Sequence, residues 1–98
     1  VTSIFGNNSM YYIDQETGES KRFLVGPQGC EITGIAYTPD LTTFFINIQH
    51  PGELTSATDV ANNTTANYQS HWPATDGVAR PRSTTIAISK NDGGLVGA

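Results

Sequence analysis

Basic residues, cysteine and long apolar runs are all scarce in this 98-residue sequence, and each scarcity excludes something. Five Lys and Arg stand against nine Asp and Glu, for a formal charge of −4. A chain this poor in cations lacks the footprint that a phosphate backbone or an acidic lipid surface requires, so neither nucleic-acid binding nor membrane insertion is expected. The single cysteine, Cys30, rules out an internal disulfide and with it a disulfide-stapled scaffold. Its simplest reading is a small packed thiol. No apolar stretch approaches the roughly 20 residues that a membrane helix needs. The opening VTSIFGNNS lacks the basic, apolar and cleavage regions of a signal peptide, so any export signal is expected upstream. Helical spacing is missing as well: no segment sustains apolar residues at i, i+3, i+4 and i+7.

What is present is β-type. Met10 to Asp14 (MYYID) and Arg22 to Val25 (RFLV) flank QETGESK, where Gly18 supplies the positive φ of a turn, and together they predict a first hairpin. Residues 31–37 and 43–49 are rich in Ile, Phe, Tyr and Thr and are joined through Thr-Pro-Asp, which predicts a second. A fifth strand, STTIAISK at 83–90, is followed by the turn signal NDGG and by Leu95-Val96, expected to form a short return strand. The fold class is therefore all-β: residues 1–98 read as a single antiparallel segment with a long polar loop over 54–82. Within that loop, 54–67 is expected to be mobile. SHWPATDGVARPR, with Trp72, Pro73 and Pro81, has the aromatic and proline character of an ordered segment.

Strict alternation along the second hairpin puts Ile32, Ala36, Phe44, Ile46 and Ile48 on one face and Ile35, Tyr37 and Phe45 on the other. Leaving either face wet would forfeit several kcal/mol at ~25 cal/mol per Å², comparable with the stability of a small domain. Strands patterned on both faces belong in the middle of a stack of sheets. The chain is thus expected to be a piece of a larger β-protein, or to associate with copies of itself. Hairpin geometry also sets the start of the first strand beside the end of the second, bringing Cys30 and Glu31 near His50 and Glu53. No GxSxG elbow, Walker loop, EF-hand loop or paired CxxC occurs, so the catalytic residues are not identified.

The blocks CEITGIAYTPDLTTFFINIQHPGE, SHWPATDGVARPRSTTIAI and NDGG together resemble the carboxy-terminal part of the PhoX-type alkaline phosphatases, a family of secreted bacterial enzymes. The resemblance implies a β-propeller that hydrolyses phosphate monoesters with calcium and iron held around its central channel, in a secreted or periplasmic parent protein. On that plan this chain supplies about one and a half blades: residues 8–25 form the outer strands of one blade, 31–49 the inner strands of the next, and 83–98 its outer strands. Alternating strand direction then sends the link at 26–30 and the loop at 50–82 to one end, so that Glu31, His50, Glu53, Arg80 and Arg82 share a rim. CEITG resembles the family's metal-binding strand, which makes Glu31 the expected metal ligand; a carboxylate suits hard cations such as calcium or ferric iron.

Arg80 and Arg82 offer planar donors suited to phosphate oxygens, or pin the long loop structurally. His50 and His71, without HxH or HxxxH spacing, read as hydrogen-bonded structural histidines. Glu53 is either a second rim carboxylate or a cap for the loop. Leu41 departs from the propeller pattern, in which Gly commonly follows Pro-Asp, so a wider turn is expected there. A segment with this partial set is expected to be inactive in isolation. The alternatives are a non-catalytic β-module for protein contact or assembly, and a propeller hydrolase of another substrate class, such as lactones.

Overall fold

The computed structural model describes residues 7–97. Residues 1–6, which include most of VTSIFGNNS, and Ala98, the end of the expected 83–98 strand pair, lie outside the described residues. Among the described residues five strands form two antiparallel sheets: β1 (Ser9–Ile13) with β2 (Ser20–Val25), and β3 (Glu31–Tyr37), β4 (Thr43–Gln49) and β5 (Thr84–Ser89) in the order β3-β4-β5. The all-β antiparallel meander read from the sequence is what the chain adopts. In the first hairpin Gly18 takes φ 73 and the Asp14 carboxylate accepts from the Glu16 and Thr17 amides, which closes the turn.

The two faces of the second hairpin are not as strict alternation predicts. Thr33 pairs with Asn47 but Ile35 with Ile46, so Gly34 is an extra residue on β3, held at φ 61. A bulge of this kind moves every later side chain to the opposite face. Directly opposed residues share a face, and the register sets Ile32 with Ile48, Ile35 with Ile46 and Tyr37 with Phe44. Ile35 and Tyr37 therefore join the face of Phe44, Ile46 and Ile48, while Ala36 moves to the face of Phe45, Asn47 and Thr33. β5 extends the same division, adding Thr84, Ile86 and Ile88 to the apolar face and Thr85 and Ala87 to the other. The sheet is one-sided, with a single strongly apolar face.

That apolar face holds the core. Ile46 and Ile48 are 1% exposed and Cys30 is fully buried, with Met10, Leu24, Ile32, Trp72, Ile86 and Ile88 packed against them. Met10 and Leu24, paired across β1 and β2, lie over β4 and couple the sheets, and Asn8 fastens the junction: its side chain accepts from the Ile32 amide and its carbonyl from the Gly26 amide. Full burial of an Ile side chain contributes about 1.5–3 kcal/mol, so the two β4 isoleucines dominate a small core. The chain measures 51 × 27 × 19 Å with a radius of gyration of 15.9 Å. A compact domain of this size has a radius of about 13 Å, so the chain is a slab with much uncovered surface.

The long loop carries detail that its composition does not show, and two further expectations are corrected. The tract at 54–67 carries helical turns: α1 (Ala57–Ala61) and a 3-10 turn (Thr65–Asn67). Ser56 caps α1 by accepting from the Asp59 amide, and its hydroxyl donates back to the Asp59 carboxylate. A helix of five residues is too short to show apolar periodicity. Leu95-Val96 forms no strand; the Val96 amide donates instead to the Leu41 carbonyl. The turn at Leu41 is tight rather than wide, with the Leu41 amide donating 2.9 Å to the Thr38 carbonyl and Leu41 itself at φ 60. Among the described residues no helix is long and apolar enough to cross a membrane.

Candidate functional site

The open end of the second hairpin brings together a histidine and two glutamates. Glu31 opens β3 opposite Gln49, the last residue of β4, so His50 follows directly beside it. The chain then reverses: the Glu53 amide donates to the His50 carbonyl, and the Gly52 amide donates to the Gln28 carbonyl in the β2–β3 link. Gly29 makes this approach possible. It sits at φ 79, and a Cβ there would lie 2.9 Å from the Gly52 nitrogen.

His50 is the centre of the cluster. Its Nε2 lies 3.4 Å from Glu31 Oε2, and its Nδ1 lies 3.1 Å from the Gly29 carbonyl oxygen and 3.5 Å from Glu53 Oε2. Carbonyl and carboxylate oxygens accept and never donate, so both ring nitrogens face acceptors and the imidazolium satisfies all of them. Desolvation works to lower the His50 pKa, but the Gly29 carbonyl, Glu31 and Glu53 outweigh it and the net direction is upward. The residue occupies φ 41, a left-handed conformation uncommon outside glycine, and its amide donates 2.9 Å to the Ser83 hydroxyl. The three side chains remain partly open to solvent, at 26% for His50, 43% for Glu31 and 48% for Glu53.

The arginines diverge. Arg82 immediately precedes Ser83, at the same end as Glu31, and its amide donates to the Trp72 carbonyl, tying the loop to the start of β5. Its side chain is exposed. Arg80 is bonded to the loop itself, its guanidinium donating to the Val60 carbonyl at 3.3 Å and to Asn63 Oδ1 at 3.4 Å, where it anchors the end of α1. His71 is held by the Ala79 carbonyl at its Nδ1 and stacks on Tyr68. Cys30, next to Glu31, is packed in the core and burial pushes its thiol pKa up, so it is a poor thiolate donor.

Two contributors were not legible from the sequence. Gly29 acts through its carbonyl, which no side-chain pattern reports, although a glycine before Cys-Glu at a strand start signals close backbone approach. Ser83 reads only as the first residue of a strand, yet it receives the His50 amide. Among the described residues no group of three His, Cys, Asp or Glu side chains converges to cage a metal ion. Glu31 and Glu53 stand at opposite nitrogens of one ring, so their carboxylates do not converge on a common point.

A comparison with curated protein sequences finds no match. The sequence model described as "Alkaline phosphatase PhoX" matches residues 1–52. Among solved structures, PhoX of Pseudomonas fluorescens in complex with vanadate, a transition state analogue, is similar to this chain over 95% of its length, with 45% sequence identity and a TM-score of 0.75. This chain spans only 14% of that protein. A family match over more than half of the sequence, joined to near-complete structural overlap at this identity, places the chain: it belongs to the PhoX alkaline phosphatase family.

Proposed function

We propose that this chain is the carboxy-terminal part of a metal-dependent phosphatase that hydrolyses phosphate monoesters, acting within a larger secreted or periplasmic propeller and inactive alone. The observation that carries this reading is the 45% identity to a PhoX that binds vanadate. Vanadate, as a transition state analogue, stands for the phosphoryl group in flight, the species whose charge a phosphatase must stabilise.

Glu31 is the residue proposed to hold the metal, calcium or iron. The fit rests on its chemistry and surroundings: a carboxylate is the hard oxygen donor these cations prefer, and it stands at a strand end, 43% exposed. When bound, such cations polarise the phosphoryl oxygens and lower the pKa of an attacking water. The remaining work falls to this chain's own groups. Arg82 presents planar N–H donors at the same end, suited to phosphate oxygens. His50 and Glu53 brace the rim, and Arg80 holds α1 against the rest of the loop.

The test uses the full-length protein that carries this segment. Glu31→Gln removes the anionic charge while preserving size, and is expected to lower both p-nitrophenyl phosphate hydrolysis, by at least the roughly 100-fold typical of a lost electrostatic contact, and the bound metal measured by elemental analysis. Unchanged activity with unchanged metal content removes Glu31 from the site. The 98-residue chain alone is expected to show no hydrolysis.

A further inference from the structure

We propose that the outer edge of β5 is a strand-docking site, filled in the longer protein by an extended segment from outside these 98 residues. It rests on the placement of this chain within a longer protein, and on neither the metal nor the phosphate chemistry. The sheet ends at β5, which among the described residues pairs with β4 and with no other strand. Leu95-Val96, the expected neighbour, runs instead to the β3–β4 turn, where the Val96 amide donates to the Leu41 carbonyl.

Backbone parity fixes what the edge presents. The Thr38 amide donates to the Thr43 carbonyl, so the odd residues of β4 bond toward β3 and the even ones, Phe44, Ile46 and Ile48, toward β5. The His50 amide, also even, agrees: it donates to Ser83, just before β5. Phe44, Ile46 and Ile48 stand opposite Ile88, Ile86 and Thr84. Thr85, Ala87 and Ser89 therefore aim their N–H and C=O groups outward, where no backbone partner meets them among the described residues. All three are exposed.

The opposite edge of the sheet is blocked. On β3 the outward amide of Ile32 is taken by the Asn8 side chain, and the Gly34 bulge breaks the spacing that a regular partner needs. β5 has neither device: it pairs with β4 without a register shift, and no proline or lysine lies within Thr84–Ser89. Only extended backbone matches the spacing of its outward groups. Opposed residues share a face, so the incoming strand sets apolar residues beside Ile86 and Ile88 and small or polar ones beside Thr85 and Ala87. A second copy is a poor source, because a six-residue strand falls far short of the roughly 20–30 residues a side that separate chains bury in a stable interface. A segment of the same polypeptide is held at about millimolar effective concentration and needs no such area. This chain spans 14% of the solved PhoX, so a protein of that length has ample chain from which to draw the strand.

The experiment is hydrogen exchange at single-amide resolution, by mass spectrometry, on the full-length protein that carries this segment and on the 98-residue chain. In the full-length protein the amides of Thr85, Ala87 and Ser89 are expected to exchange as slowly as those of Thr84, Ile86 and Ile88. In the 98-residue chain they are expected to exchange roughly 100-fold faster than those neighbours. Ala87→Pro deletes one outward N–H, and an edge strand tolerates proline on its open side. It is expected to lower the melting temperature of the full-length protein by several degrees and that of the 98-residue chain by much less. Fast exchange at Thr85, Ala87 and Ser89 in the full-length protein overturns the proposal. So does slow exchange there in the 98-residue chain, which assigns the edge to a second copy if protection falls on dilution and to another part of this chain if it does not. Hydrolysis of p-nitrophenyl phosphate is no part of the readout, so the phosphatase reading stands or falls separately.

Discussion

Gly34 decides which face each later β3 side chain takes, because the bulge it forms turns Ile35 and Tyr37 onto the face of Ile46, where they stay 54% and 60% exposed. Gly34→Ala is expected to destabilise the chain by about 1–2 kcal/mol, since φ 61 is costly for an L-residue and the new Cβ would lie 3.0 Å from Asn47 Nδ2. Urea unfolding reads this as a lower midpoint at constant slope; an unshifted midpoint would show that the bulge relaxes at no cost. Deleting Gly34 is the more damaging change, because it restores strict alternation and sends Ile35 and Tyr37 to the wrong face. An isolated glycine within a strand is a bulge signal, so the position of the register shift is legible in the sequence even though strict alternation ignores it. By contrast, the closeness of Glu31, His50 and Glu53 follows from hairpin topology alone, and it was readable because antiparallel pairing fixes which residues meet. Their hydrogen-bond partners on the backbone were not, since Gly29 and Ser83 contribute through atoms or positions that carry no distinctive residue type.

Three turn aspartates set a second residue-level expectation. The Asp14 carboxylate accepts from the Thr17 and Glu16 amides, Asp40 from the hydroxyls of Thr38 and Thr42, and Asp76 from the Ala79 and Val78 amides; in each case these bonds hold the pKa below the ordinary 3.8. A carboxyl with a depressed folded-state pKa contributes stability above its unfolded value, and that contribution is lost as pH falls through the folded value. Stability is therefore expected to decline as pH drops below about 3.8. The triple variant Asp14→Asn, Asp40→Asn and Asp76→Asn keeps an acceptor at each turn but cannot titrate. Its stability should depend less steeply on pH between 4 and 2; an identical acid limb in the two proteins would count against these turns as the source.

At the level of elements, the turn between β3 and β4 shows sequence and backbone in conflict. Leu41 occupies φ 60 and gives its carbonyl to the Val96 amide, so a residue ill suited to the conformation is retained where the tail docks. Leu41→Gly is expected to relieve about 1 kcal/mol of backbone cost, less the few tenths by which glycine favours the unfolded chain. A rise in the unfolding midpoint supports this account, and a fall would mean that the half-exposed leucine side chain packs against the tail more strongly than the backbone resists. The presence of each hairpin was legible because strand composition and turn chemistry agree. The helix α1 was not, because five residues held by a Ser56 cap make one turn, and a single turn has no period to detect.

At the scale of the whole molecule, the unresolved problem for the isolated chain is its outer surface. The bulge gathers most apolar side chains of the three-stranded sheet on one face, yet Ile35 and Tyr37 on that face stay 54% and 60% exposed, and the first hairpin raises the same difficulty elsewhere. Met10 and Leu24 face inward, so β1 and β2 direct Ser9, Tyr11, Ile13 and Val25 away from the core. Tyr11, Ile13 and Val25 are 53%, 61% and 48% exposed, apolar side chains interleaved with Ser9, Arg22 and Ser20 on a slab whose radius already exceeds that of a compact domain. Within a longer protein a neighbouring sheet would cover it; alone, a second copy is the available partner. The 98-residue chain is therefore expected to self-associate through this face, with burial of each of the three side chains contributing roughly 1 kcal/mol. Size-exclusion chromatography with light scattering should give a mass above 10.5 kDa that falls on dilution. Tyr11→Lys together with Ile13→Lys should return it to a monomer without loss of β-sheet signal in circular dichroism. A wild-type chain that stays monomeric as concentration rises would show that this face tolerates water, and the case that it awaits a neighbouring sheet would then rest on the family relationship alone.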